Sequence, residues 1–153
     1  MFNFDKILNF TNTQIKKYAD DIKERHIDQM RMGIDADGQK FVEYTPKYAK
    51  AKALGRYPHQ ISFGITPPNY TLTGEMFEKF IVHVAKVKNN IQIKYGIRAS
   101  KVGLRLAANN QKREIADNQK LGPLVEEVIG SGIAEMVADN ISKQHGAPVV
   151  LHI

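Results

Sequence analysis

The 153-residue chain contains no cysteine. That excludes a disulfide framework, a thiolate-bound metal and a cysteine nucleophile, and it fits a reducing compartment. No run of about 18 apolar residues occurs, so no membrane-spanning helix is expected. The first ten residues, MFNFDKILNF, lack the basic start and small-residue cleavage site of a secretory leader. Internal repeats and low-complexity tracts are absent. So are a P-loop, a G-x-G-x-x-G fingerprint and a G-x-S-x-G elbow. The five histidines (His26, His59, His83, His145 and His152) never stand four apart on one helical face, and no carboxylate cluster accompanies them. Asp20–Asp21 and Glu126–Glu127 are adjacent pairs, so the members of each pair point to different sides of a helix, which argues against paired-carboxylate catalysis. No catalytic, metal-ligating or cofactor-binding residue is assigned, and an enzyme is not expected.

One sign of charge is missing over a long span. Residues 79–113 hold nine Lys or Arg and no Asp or Glu. Residues 39–113 hold fourteen basic and three acidic residues, a net +11, while the remainder holds eight basic and thirteen acidic, a net −5. The whole chain is +6. The candidates for a basic face are Lys86, Lys88, Lys94, Arg98, Lys101 and Arg105. Three readings stay open: a solvated strand face, an electrostatic match to an acidic protein neighbour, and contact with DNA phosphates. Tyr95 is the only aromatic after Phe80, and alternation puts it on the apolar face, which counts against stacking on single strands.

What is present suits one α+β domain over 1–153, long enough to bury roughly 70% of its unfolded surface. Residues 1–10 are apolar and read as an arm that docks on its own domain or on a neighbour. Thr11 and Gln14 have capping-box spacing. Behind them Ile15, Tyr18, Ala19, Ile22, His26 and Met30 make an amphipathic helix over about 12–31, which Gly33 stops. On that stripe His26 reads as a core or rim residue, not a metal ligand. Thr45 and Pro46 open a short helix with Tyr48, Ala51 and Leu54 on one side and Lys47, Lys50 and Lys52 toward solvent or a partner. Residues 56–70 carry Gly64, Pro58, Pro67 and Pro68 and read as an extended loop that orders on assembly. A Thr-capped turn of helix starts at 71–77. Two strands follow, over 80–87 and 91–97, joined by an Asn89–Asn90 turn. Residues 100–110 lean toward helix and 112–115 toward an extended link. A long helix then carries Leu121, Val125, Val128, Ile129, Ile133, Met136 and Ile141, with Gly132 admitting close packing against the sheet. Residues 147–153 form an apolar, extended tail. The expected fold is a small antiparallel sheet with an N-terminal amphipathic helix and a long C-terminal helix packed on it.

Residues 33–76 hold the most distinctive pattern. A turn at Asp35, Asp37 and Gly38 precedes Tyr44-Thr45-Pro46-Lys47-Tyr48-Ala49, with Lys52 behind, and then Leu72-Thr73-Gly74-Glu75-Met76. The acids do not fit an EF-hand: with Gly38 at position 6, positions 1 and 12 fall on Gly33 and Tyr44. In order and spacing this stretch resembles a family of tailed-bacteriophage morphogenesis proteins that form the neck, the head–tail joint or the tail end. The family's proline-rich stretch before its last helix has only a degraded counterpart here, Lys112-Arg113-Glu114-Ile115. The resemblance implies a non-catalytic virion protein that needs no cofactor. It also implies self-assembly into rings, six-fold or twelve-fold, against portal, connector or tail-tube proteins, built in the host cytoplasm and with no membrane partner. Candidate subunit-interface residues are Phe2, Phe4, Tyr44, Tyr48, Lys52, Tyr57, Phe63, Tyr70, Val149 and Leu151. The alternative is a small basic DNA-binding protein.

Overall fold

A computed structural model of the chain describes residues 3–69, 71, 73–88, 90–97, 101, 121–146 and 148. Its elements are α1 (Phe4–Ile7), α2 (Asn12–Met32), α3 (Pro46–Ala53), α4 (Glu75–Lys79), β1 (Phe80–Val87), β2 (Asn90–Ile97) and α5 (Pro123–His145). This is an α+β fold in which helices α2 and α5 and a two-stranded antiparallel sheet share one core. No helix among the described residues is long and apolar enough to cross a membrane.

Helix α2 begins with a reciprocal cap. The Gln14 N–H donates to the Thr11 hydroxyl (3.2 Å), and the Thr11 N–H donates to the Gln14 side-chain oxygen (2.8 Å). It ends at Gly33, whose φ of 68° suits glycine and whose missing Cβ leaves room for the Pro67–Pro68 backbone. One face buries Tyr18, Ile22, His26, Gln29 and Met30. Tyr18 and Ile22 join Val84, Val125 and Met136 in the larger core cluster, and Met30 joins Phe41, Phe77 and Phe80 in a second.

The hairpin pairs Val84 with Ile93 and Val82 with Tyr95, and Val87 with Asn90. The turn therefore begins at Lys88, at φ 54°, one residue earlier than expected, and Asn90 belongs to the strand. Both placements keep Ile91 and Ile93 on the face of Val82 and Val84, because moving a two-residue turn by one residue shifts the pairing by two; the difference is that Asn90 joins the ladder opposite Val87.

Two expected helix starts differ from the structure. Pro46 does occupy the first turn of α3, but Thr45 makes no side-chain cap. The N-cap of α4 is Gly74 at φ 78°, and Thr73 contributes a single long bond from the Glu75 N–H (3.4 Å). Gly132 also has a different partner from the one expected. A Cβ on it would lie 2.5 Å from the Tyr18 ring, so it admits helix α2, not the sheet. The Tyr18 hydroxyl donates to the Ile129 carbonyl (2.9 Å) at that crossing.

The N-terminal arm lies on its own chain. Ile7 is buried, and the Asn140 amide of α5 donates to the Ile7 carbonyl (2.8 Å). Of the helix expected over 100–110 only Lys101 is described, in helical conformation. The link at 112–115 and the tail at 147–153, Pro148 apart, lie outside the described residues.

Candidate functional site

The Asp35 turn is closed by its own side chain. The Asp37 N–H (3.0 Å) and the Gln39 N–H (2.7 Å) both donate to the Asp35 carboxylate, so that oxygen completes a backbone turn. Among the described residues no group of three or more His, Cys, Asp or Glu is placed to hold a metal ion. The turn delivers Phe41, whose N–H donates to the Gly33 carbonyl (2.7 Å), into the second core cluster.

The next part of the motif corrects a prediction. Lys52 does not face solvent or a partner; it is 0% exposed. Its ammonium donates to the Asn69 side-chain oxygen (3.2 Å) and to the Tyr44 hydroxyl (3.4 Å), and it lies 5.0 Å from the centre of the Tyr44 ring. The Tyr44 hydroxyl in turn donates to the Asn69 carbonyl and accepts from the Asn69 N–H (2.7 Å). Burial pushes the Lys52 ammonium below the ordinary lysine value of 10.5. A long aliphatic stem lets lysine pack like a hydrophobe when something supplies acceptors at its tip. Here the returning loop supplies them.

That node fastens residues 56–69 back onto α3. The Gln60 amide donates to the Lys52 carbonyl (2.5 Å) and to the Ser62 carbonyl (2.8 Å), so it serves the last turn of the helix. Pro68 is buried. The rings of Tyr44 and Tyr48 stand 4.9 Å apart, and those of Tyr48 and Tyr57 stand 5.4 Å apart. The loop is thus a built surface. On it Leu54 (57%), Ile61 (64%) and Phe63 (55%) remain exposed, with Phe63 lying over Gly55.

Of the interface candidates, Tyr44, Tyr48, Tyr57 and Phe63 are brought together on this surface, and Lys52 is beneath it. Phe4 starts α1. Phe2, Tyr70, Val149 and Leu151 lie outside the described residues. The basic span is not one face. Alternation along β1 puts Lys86 on the core side of the sheet, opposite Ile91, where its ammonium donates to the Leu8 carbonyl (2.7 Å). Lys94 pairs with His83 on the outer side, and Lys88 is at the turn. Lys101 is exposed, and Arg98 and Arg105 lie outside the described residues.

A concavity of about 210 Å³ lies between α2 and α5, lined by Gly132 and Met136 and by the charged Asp21, Glu135 and Asp139. Those charges are paired. Lys17 reaches Asp21 (3.0 Å) and Glu135 (3.5 Å), and Lys143 reaches Asp139 (2.6 Å) and holds that carboxyl below its usual range. Among these side chains no nucleophile is set against a base. The Lys52 node was missed because helical periodicity reads only a residue's own element, and the acceptor comes from 17 residues away. Comparison with protein-family models, with curated proteins and with solved structures gives no match.

Proposed function

We propose that the chain is a structural subunit of a tailed-phage particle. Its copies form a closed ring at the neck or at the end of the tail, joining head to tail or completing the tail. The ring is built in the host cytoplasm and ends in the virion. The observation that carries this is the anchored loop: Leu54, Ile61 and Phe63 are held out to solvent on a frame fastened by buried Lys52, Tyr44 and Asn69. Apolar side chains on a pre-ordered frame suit association, because little freedom is lost when they bind. The pattern at residues 33–76 that resembles phage morphogenesis proteins is the segment that builds this frame.

The test is native mass and negative-stain imaging of the purified protein, alone and mixed with neck and tail proteins. A closed multimer is expected. A strict monomer at high concentration that never enters particles contradicts the proposal. DNA binding is the competing outcome, and its signature is affinity for duplex that falls steeply between about 50 and 200 mM salt. The division of Lys86 and Lys94 between opposite faces of the hairpin weakens that competitor.

A further inference from the structure

We propose that the ring contact is head to tail: the α3–loop surface of one copy docks on the outward face of α5 of a second copy. The proposal deepens the ring reading above and depends on it. Lys47 and Lys50 on α3 and Leu54 at its C-cap are spaced i, i+3 and i+7, so they share one exposed side. Arg56, Ile61 and Phe63 are exposed too, with the Phe63 ring over Gly55 at the end of the helix, and residues 46–69 contain no acidic side chain.

Helix α5 has the opposite character, with four acidic residues and one lysine. Its inner side, with Val125, Gly132 and Met136, is taken up by the core. Its outer side exposes Glu127 and Ser131, and Glu135 follows at the next four-residue step, 69% exposed at the edge of the α2 groove and 3.5 Å from Lys17. Beside them Gly130 has open space where a side chain would stand. Gly130 and Ser131 therefore form a low saddle between two carboxylates about 12 Å apart along the axis, at 1.5 Å per residue. An apolar ridge of Leu54 and Phe63 fits such a saddle. The cations around it, Lys47 and Lys50 on one side and Arg56 on the other, then meet Glu127 and Glu135.

The two surfaces differ and lie on different elements. A contact between them is heterologous, and heterologous contacts generate rings when the rotation closes. Charge complementarity would then set the order of copies and the rate of assembly.

Sedimentation velocity across a concentration series tests this, with circular dichroism confirming that each variant is folded. Lys47→Glu with Lys50→Glu should weaken self-association at least about tenfold, because like charges then face each other. Glu127→Lys with Glu135→Lys should do the same. All four together should restore association to within about threefold of the parent, as a swapped charge pair requires. Leu54→Ser should weaken it without any change of charge. A parent that assembles while both charge-reversed variants assemble equally well overturns the docking but leaves the ring. Failure of the fourfold variant to recover shows that the two surfaces are not partners. A parent that stays monomeric at every concentration removes the ring and this contact together. If the lysine variant loses only duplex-DNA affinity, the α3 face is a phosphate surface.

Discussion

His26 is 1% exposed, between the rings of Phe80 and Tyr95 at 5.5 and 5.3 Å, and neither ring nitrogen has a hydrogen-bond partner among the described residues. Burial lowers its pKa from 6.5 to about 4. The folded chain therefore keeps it neutral while the unfolded chain takes up a proton below about pH 6.5. Stability is complete above that pH, declines as the pH falls, and has lost about 3 kcal/mol once the pH is below 4. Denaturant midpoints at pH 7.5 and pH 4.5 should show most of this loss. His26→Leu should raise the pH 7.5 midpoint, since it removes two unsatisfied buried polar atoms, and should flatten the decline. An unchanged pH slope in that variant would contradict the assignment. Lys52 makes the complementary case. Lys52→Met keeps the packed stem and removes a buried charge, so it should stay within about 1 kcal/mol of the parent. Lys52→Ala leaves a cavity and should cost about 2–4 kcal/mol. Equal losses for the two would mean that the charge, not the stem, holds the loop.

At the scale of elements, the two glycines inside α5 should behave oppositely. Gly130→Ala meets open space and should stabilise by about 1 kcal/mol through helix propensity. Gly132→Ala drives a methyl into the Tyr18 ring and should destabilise by about 1–3 kcal/mol by forcing α2 and α5 apart. Thermal melts of the pair distinguish this from a general intolerance of substitution in the helix. Tyr44→Phe should release residues 56–69, because one hydroxyl serves Lys52 and both backbone groups of Asn69. Limited proteolysis should then cut in that loop while α2 and α5 stay protected. The sequence made some of this architecture legible and hid the rest for a physical reason. The capping box at Thr11 and Gln14, the stripe along α2, the strand pair and the span of α5 follow from local rules of period and cap, and they are present. Lys86 on the core side was also readable, since it continues the alternation of Val82 and Val84. The burial of Lys52 and the meeting of Gly132 with Tyr18 were not, because each depends on a segment far away in sequence. The candidate surface was half legible: the tyrosines and Phe63 stood out, but the folded-back loop that unites them did not.

At the scale of the whole molecule, the proposed assembly is argued from the distribution of charge and of exposed apolar residues. Basic residues occupy α3, its loop and the hairpin, while α5 carries most of its charge as carboxylates. A single copy holds its N-terminal arm against its own α5 and β1, so the arm is part of the folded unit. The anchored loop, with Leu54, Ile61 and Phe63 exposed, is one of the apolar surfaces that the described residues leave open to solvent. The proposal uses that surface to join copies of the chain. The most direct measurement of the proposal is a reconstruction of the tailed particle to which it assigns this chain, at a resolution that traces α2 and α5. The account predicts a closed ring of copies at the head–tail junction or at the tail terminus, with residues 46–63 inside the contact between neighbours. Complete, infectious particles that contain no copy of the chain would contradict it.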